Sequence, residues 1–367
     1  MEHKIKLAIL VPTLRFGGGE RVASNLINEL SLYKDLDIKV ILYDKRQVDY
    51  GISKDVDILS IDEETDINGF LKKTFSFFRK AKKVRKTLKD NDIQIALSIM
   101  PSMNIFVLLG KYNTLKTIVT IHNIIRDRKL SLSGIMLKLQ KIFYAKSDEI
   151  VAVSNGVRKS VLNNIDKDLQ IDVIYNPLDS NHIKKLSLES IEFDFDYILG
   201  VGRLTKQKGF DILIKAFNEL KDKSLHLVLL GDGDEKDYLL SLVKDFGLED
   251  RVHFVGFVNN PYKYMRNSKC FVLSSRWEGF GLVLAEALIS NAKVVSFDCE
   301  AGPNEIIENK DIGTLVYEIE DYIALSKGIE KELDLKRDIN TIENSMKRFN
   351  INNITQKYYK LIKDLTV

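Results

Sequence analysis

Apolar positions along the chain follow two alternating patterns. Runs at 5–11, 38–43, 93–99, 117–121 and 150–153 are short and rich in Ile, Val and Leu, and amphipathic stretches of helical length separate them. Short apolar runs alternating with helices predict βαβ units on a parallel sheet. The pattern then starts again. Runs at 197–201, 225–230, 252–255, 270–273 and 294–297 form a second series with its own intervening helices. The break falls near Asn176-Pro177, and the polar stretch that follows, to about Asp196, shows no strand pattern. The expectation is an α/β protein of two doubly wound domains, 1–178 and 179–349, joined by a linker and facing each other across a cleft. In open parallel sheets ligands bind beyond the carboxyl ends of the strands. At the end of the chain Ile354, Tyr358, Leu361, Ile362 and Leu365 fall at helical spacing, predicting a last helix within 350–367 that packs back on the first domain.

Composition agrees with two domains, since 367 residues at ~100–200 per domain exclude a single small module. The 55 basic and 52 acidic side chains leave a net charge of only +3, which gives a nucleic-acid partner no support. Its distribution is uneven. Residues 1–180 carry 29 Lys/Arg against 22 Asp/Glu and the remainder 26 against 30, so the two halves face different environments. Cys270 and Cys299 lack metal-like spacing and cannot form a disulfide framework, which points to a reducing cytoplasm. Met1-Glu2-His3-Lys4 runs straight into the first apolar run, so no secretory leader is expected. No run reaches the ~20 apolar residues that cross a bilayer. Membrane contact is then peripheral.

Three loops at strand ends could carry chemistry. After the first strand come Gly17, Gly18 and Gly19 and a helical run over 22–30. Glycines there let backbone approach a ligand and present amides to an anion. The spacing is not G-x-G-x-x-G, which weakens a nicotinamide-cofactor reading. A tight turn without ligand is the alternative. In the second series Gly200-Val201-Gly202-Arg203 leads through Lys208-Gly209 into a helix over 210–220. Arg203 and Lys208 beside a helix start can hold a diphosphate without a metal, and a solvated basic loop is the alternative. The third stretch, Ser274-Ser275-Arg276-Trp277-Glu278-Gly279-Phe280-Gly281-Leu282, continues into a helix that carries Glu286. A carboxylate that accepts vicinal hydroxyls grips a ribose or a sugar, and Gly279 and Gly281 offer amides beside it.

Glu278 and Glu286 form an E-x7-E motif, EGFGLVLAE. With it stand the GGGER loop, SNGVRKSVL (154–162), YNPLD (175–179), GVGRLTKQKGFDILIKAF (200–217), LLGDGD (229–234), HFVGFVNN (253–260) and AGPNEII (301–307). Together these resemble the retaining GT-B glycosyltransferases of glycosyltransferase family 4 over nearly the whole chain. The resemblance implies two Rossmann-like domains, the second holding a nucleotide-sugar donor and the first the acceptor. It implies that Arg203 and Lys208 bind the diphosphate, Glu286 the ribose and the backbone around Phe257 the base. Glu278, Gly279, Phe280, Gly281 and Leu282 then contact the transferred sugar or its phosphates, and Gly17, Gly18 and Gly19 close over the diphosphate from the opposite domain. His122, which ends a predicted strand, matches the histidine that many relatives place near the donor sugar. Taken alone, such a histidine is more often structural.

Two departures concern backbone detail: Pro177 stands where many members have glycine, and Ser290-Asn291-Ala292-Lys293 replaces a glycine-and-proline turn. Asp-x-Asp occurs at Asp35/Asp37, Asp55/Asp57, Asp194/Asp196 and Asp232/Asp234, but cationic side chains and helix starts already neutralise a diphosphate. No metal is expected, and no cofactor. From 67 to 89 there is no acidic residue, while nine Lys/Arg interleave with Phe70, Phe75, Phe77, Phe78 and Val84. Arg126, Arg128, Lys129, Lys138, Lys141 and Lys146 add charge to the same domain. That stretch suits an anionic membrane face, and equally a solvated helix whose aromatics pack inward. The expectation is a metal-independent retaining transferase moving sugar from a nucleotide donor, favoured as UDP-linked, to a surface polysaccharide or lipid-linked glycan. A non-hydrolysing nucleotide-sugar epimerase and a non-catalytic glycan-binding scaffold share the architecture.

Overall fold

The structure, a computed structural model, describes residues 4–15, 17–44, 48–61, 70–125 and 132–366, with backbone alone at 70–75 and 132–133. Arg126, Arg128, Lys129, residues 67–69 and the side chains at 70–75 therefore lie outside the described residues. Contacts divide the chain into two units, Met1–Leu178 with Ile351–Val367, and Asp179–Asn350.

The first unit is built on β1 (Ile5–Leu10), β2 (Leu36–Leu42), β3 (Asp57–Ser60), β4 (Ile95–Ile99), β5 (Lys116–Ile121), β6 (Glu149–Ala152) and β7 (Asp172–Val173). They form one sheet in the order β3-β2-β1-β4-β5-β6-β7, with every pairing parallel. The connecting helices are α1 (Gly18–Leu30), α2 (Phe70–Asp90), α3 (Pro101–Gly110), α4 (Leu132–Phe143) and α5 (Asn155–Asn164). Chain direction across the sheet reverses between β1 and β4, which makes that gap the topological switch point. Successive strand residues serve opposite faces. Leu7, Ile9 and Leu97 pack with Ala23, Leu26 and Ile27 of α1, whereas Ala8, Leu10 and Ala96 pack with Val84 and Leu88 of α2 and Met103 and Phe106 of α3.

The second unit repeats the scheme with β8 (Tyr197–Val201), β9 (His226–Leu230), β10 (Val252–Gly256), β11 (Cys270–Leu273), β12 (Val294–Phe297) and β13 (Thr314–Val316). Their order is β10-β9-β8-β11-β12-β13, all parallel, so the switch point lies between β8 and β11. The helices are α6 (Ser180–Ser187), α7 (Phe210–Glu219), α8 (Lys236–Asp245), α9 (Tyr262–Asn267), α10 (Leu282–Ile289), α11 (Pro303–Ile306), α12 (Tyr322–Asp334) and α13 (Ile339–Met346). Ile198, Leu229, Val272 and Phe297 pack with Leu213 and Phe217 of α7 and Leu325 and Ile329 of α12. A buried ion pair braces the far end, where Glu332 of α12, fully buried, takes a bidentate contact from Arg337 and a 2.7 Å hydrogen bond from the Thr314 hydroxyl.

Where the elements differ from expectation, the reasons are local. The strands absent from the hydrophobic reading, β3, β7 and β13, are all sheet edges. An edge strand pairs on one side and needs only a short apolar run. The stretch read as a linker holds α6, started by the Asp179 carboxylate, which accepts from the His182 amide, and seated by Ile183. The first helix begins at Gly18, not Val22, so Gly18 and Gly19 belong to its first turn and Gly17 is its cap.

The last helix, α14 (Ile351–Asp364), belongs to the first unit and packs on α1. Ile354, Tyr358 and Ile362 enter the β-sheet core, and Tyr359 stacks on Tyr33 at 4.0 Å between ring centroids. Asp35 accepts from the Tyr359 hydroxyl at 2.7 Å and the Lys363 ammonium at 2.9 Å. The Lys363 contact, reinforced by Tyr359, holds the Asp35 carboxyl below its ordinary range. Replacing Ile362 by Ala is expected to cost ~2–5 kcal/mol in denaturant unfolding of the first unit. Asp35→Asn, at a part-exposed site, is expected to cost less than ~1 kcal/mol. Because the folded pKa is lowered, that smaller difference is present at neutral pH and fades as pH falls through the Asp35 titration.

Candidate functional site

The loops after β8 and β11 meet at the switch point of the second sheet. The 206–211 segment must pass closely under the 274–277 segment, and glycine permits it. At Gly209, with φ of +64°, a Cβ would lie 2.2 Å from the Ser274 carbonyl oxygen. Hydrogen bonds then stitch the two segments together. The Ser274 hydroxyl donates to the Lys208 carbonyl at 2.9 Å, the Arg276 amide to the Gln207 carbonyl at 2.8 Å and the Gln207 side-chain amide to the Trp277 carbonyl at 2.9 Å. Arg276 adds a fork to the Asp211 carboxylate, with bonds of 2.9 and 2.8 Å, and a bond to the Lys206 carbonyl at 2.8 Å. Burial alone would raise the Asp211 pKa, but the Arg276 hydrogen bonds and charge outweigh it, so the carboxyl is held below its ordinary value. Asp211 in turn raises the guanidinium pKa. Both groups stay charged.

This frame carries the two sequence-predicted charges that come together. The Lys208 ammonium donates to Glu278 Oε1 at 2.6 Å, and the Ser275 hydroxyl donates to the same oxygen at 2.6 Å. The pair is largely withdrawn from water, with side chains 17% and 8% exposed. Glu278 precedes Gly279, Phe280 and Gly281, and Gly281, with φ of +88°, caps α10 at Leu282 without any side-chain cap. The first amides of α10 point to the end where Glu278 lies. Glu286, one helical stretch on, is 1% exposed, and among its contacts Oε1 accepts a long 3.5 Å hydrogen bond from the Tyr262 hydroxyl of α9. Cys299, just past β12, is also buried, and burial with the Glu278 charge beside it pushes its thiol up to about 12.

Two predicted residues take no part in the hydrogen bonds of this cluster, although Gly202, next to the first of them, would bring a Cβ within 3.2 Å of the Lys208 side chain. Arg203, two positions past β8, is exposed and has no ion pair among the described residues. Phe257, just past β10, is 57% exposed after the positive-φ Gly256. β10 is two strands from β8, or ~10 Å at ordinary strand spacing. Asp232 is largely exposed, accepts from the Gly233 amide at 2.9 Å and lies 3.9 Å from the Lys236 ammonium. Among the described residues no group of three or more His, Cys, Asp or Glu is placed to hold a metal.

The first unit has its own switch point, between β1 and β4. Gly17 caps α1 with extended backbone and no side-chain cap, and Gly18 and Gly19 open its first turn. Met100, at the end of β4, adopts φ of +79° before Pro101, a conformation a non-glycine residue holds only under tertiary constraint. His122 follows β5 and is half-buried. Its Nε2 lies 2.9 Å from the Thr120 hydroxyl, and burial pushes the imidazole pKa down to about 4. It is therefore neutral at physiological pH.

Sequence reasoning missed Ser275, Arg276, Asp211, Gln207, Tyr262 and Thr120. The opposite charges of Asp211 and Arg276, each beside a quoted motif residue, were a usable signal once the two loops were placed at one switch point.

Two family models match the chain, "Glycosyltransferase Family 4" over residues 16–182 and "Glycosyl transferases group 1" over 189–353. An N-acetylgalactosamine-N,N'-diacetylbacillosaminyl-diphospho-undecaprenol 4-alpha-N-acetylgalactosaminyltransferase from Campylobacter jejuni is 32% identical over 338 residues, covering 90% of each chain. Among solved structures, sucrose-phosphate synthase from Thermosynechococcus elongatus superimposes with a TM-score of 0.82 at 18% identity, covering 99% of each chain. Anabaena HepE in complex with UDP-glucose superimposes at 0.78 and 19% identity, covering 98% of this chain and all of that one. The chain belongs to glycosyltransferase family 4 and has the α/β architecture of the GT-B fold, two Rossmann-like units with parallel sheets.

Proposed function

We propose that this glycosyltransferase moves a sugar from a UDP-linked donor to a lipid-linked or polysaccharide glycan, with retention of anomeric configuration and without a metal ion. The observation that carries the reading is the Lys208–Glu278 pair, nearly out of water at the switch point of the second sheet. Lys208, Arg203 and the uncapped starts of α7 and α10 supply positive potential for a diphosphate leaving group. Glu278, with Ser275 on the same oxygen, faces the positive character that develops on the sugar ring as the bond to phosphate breaks. Gly279, Phe280, Gly281 and Leu282 line the same turn, Glu286 takes the ribose hydroxyls, and backbone at Phe257 takes the base. In the first unit, His122 accepts a sugar hydroxyl and the amides at Gly17, Gly18 and Gly19 take an anion. UDP is favoured because the HepE structure binds UDP-glucose, and the lipid-linked acceptor because the Campylobacter relative acts on a diphospho-undecaprenol substrate.

Bond cleavage leaves negative charge on the diphosphate, which fixed ammonium, guanidinium and amide groups stabilise with little reorganisation. In the proposed mechanism the acceptor oxygen bonds to the anomeric carbon on the face the phosphate has just left, and the departing phosphate oxygen accepts that hydroxyl's proton. The anomeric configuration is thereby kept.

Peripheral membrane contact is part of the reading. Among the described side chains of α2, Phe78 is 57% exposed, with Lys82, Lys83, Lys86 and Lys89 also exposed. Ile135 and Ile142 of α4, 46% and 57% exposed, are accompanied by exposed Lys138 and Lys141, and both helices pack on α3. No described helix is long and apolar enough to cross a membrane. Exposed apolar side chains among lysines suit an anionic lipid face.

Lys208→Ala is expected to lower kcat/KM for the donor by ~10²–10³-fold. It also strips a buried carboxylate of its cation, at ~3–5 kcal/mol of stability. Glu286→Gln, which keeps size and shape, is therefore measured beside it with thermal unfolding of both proteins. Wild-type kinetics in both folded variants would refute the site. Turnover after exhaustive chelation is expected to be unchanged, and product NMR to show the donor's anomeric configuration; rescue by Mg²⁺ or an inverted product overturns the corresponding claim. The protein is expected to sediment with anionic liposomes at low salt and to be released as ionic strength rises, whereas failure to bind at low salt removes the membrane contact.

A further inference from the structure

We propose that Thr120 is a positioning residue that decides which ring nitrogen of His122 carries the proton, presenting Nδ1 as a bare acceptor for a sugar hydroxyl. Thr120 lies in β5, 1% exposed, with its hydroxyl between two groups. Oγ1 is 2.9 Å from the Ser98 carbonyl oxygen of the neighbouring strand β4 and 2.9 Å from His122 Nε2. A hydroxyl has one proton to give. The Ser98 carbonyl can only accept, so a contact of 2.9 Å requires that proton. Oγ1 is then an acceptor toward His122, and Nε2 must be the nitrogen that bears hydrogen. The opposite assignment leaves two oxygen acceptors facing each other, buried, with nothing between them. That arrangement forfeits a buried hydrogen bond.

The hydroxyl oxygen is held between these two partners. Thr120 is β-branched in a central strand, which restricts χ1, and its own carbonyl accepts from the Asn104 side chain at 2.9 Å. Burial keeps the ring neutral, so the second nitrogen, Nδ1, retains its lone pair. Among the described residues no hydrogen bond falls on Nδ1. A bare imidazole nitrogen accepts from O–H or N–H groups and disfavours another acceptor. The chemistry it fits is a hydroxyl-bearing, uncharged sugar position. This last step rests on the proposed contact of His122 with sugar; the tautomer itself does not.

The experiment is long-range ¹H–¹⁵N correlation NMR of the full-length protein labelled with ¹⁵N-histidine, at pH 7, with the His122 resonances assigned by their loss in His122→Gln. The expected result is a proton on Nε2 in the wild type and in Thr120→Ser, and a mixed or reversed tautomer in Thr120→Val. A proton on Nδ1 in the wild type, or an unchanged tautomer in folded Thr120→Val, overturns the inference. Donor kcat/KM is measured on the same proteins, with a loss of about tenfold expected for Thr120→Val and wild-type behaviour for Thr120→Ser. A tautomer that follows residue 120 while kcat/KM does not leaves Thr120's control of the ring intact and sinks the sugar contact of His122 instead.

Discussion

Withdrawing an ammonium and a carboxylate from water costs several kcal/mol per ion, and the Lys208–Glu278 pair accepts that cost at the centre of the second unit. Mutual attraction and the Ser275 hydroxyl offset part of it, so the pair is poor evidence for stability. In the proposed reading it is charge fixed in advance. In a site shielded from water an ammonium acts on a phosphate through a lower effective dielectric than bulk water, and it need not reorganise as negative charge develops. The surrounding loops hold the pair in place. Gly209 and Gly281 take positive φ, and the Arg276–Asp211 fork ties the two segments so that neither charge can swing away.

That arrangement depends on strand order. Because the chain reverses direction across the sheet between β8 and β11, the helices that follow those strands lie on opposite faces and both loops start from the carboxyl ends of neighbouring strands. The cores that fix the strands are ordinary: continuous apolar strands under α7 and α12, with Ile198, Val272 and Phe297 excluded from solvent. Rigidity there is what holds Lys208 and Glu278 at a fixed separation. The site therefore inherits its geometry from hydrophobic burial some residues away from any charged group.

Much of this was legible in the sequence, and what was not had a physical cause. Central strands announce themselves because both faces are buried, and β8, β11 and β12 match the apolar runs residue for residue. Edge strands β3, β7 and β13 need no such run and stayed hidden. Glu278 and Glu286 were legible because a glycine turn and a helix fix their spacing along the chain. Arg276 and Asp211 were not, since their pairing spans 65 residues and depends on which strands are neighbours. The triple glycine at 17–19 reads as loop by composition, yet helix geometry begins at Gly18 because the residues after it supply the apolar face, from Val22 to Leu30. Thr120 gave no signal at all; threonine is an ordinary strand residue, and only the Ser98 carbonyl and the His122 ring around its hydroxyl give it meaning.

The two units share one topology but set different side chains beyond their strands. Each starts a helix at or just after a glycine beyond its first strand, and each places side chains beyond strands next to its switch point. In the second unit those side chains are charged: Lys208, Glu278, and Arg276 with Asp211 behind them. In the first, the groups gathered around the end of β5 are neutral, namely Ser98, Thr120, His122 and Asn104, although an Arg15–Asp49 pair stands beyond β1. Lys208 and Arg276 are each matched by a carboxylate, so in the proposed reading an anion is drawn by the helix-start amides and by Arg203, which has no ion pair among the described residues. Neutral donors and acceptors gain nothing from net charge and discriminate by where a partner's own protons and lone pairs sit. In the proposed reading the second unit takes the diphosphate, the ribose and the base, while the first offers His122 to a sugar hydroxyl and the amides at Gly17, Gly18 and Gly19 to an anion. In the same reading the burial that keeps His122 uncharged suits it to a hydroxyl, since a charged imidazole would offer a phosphate the same attraction as a lysine.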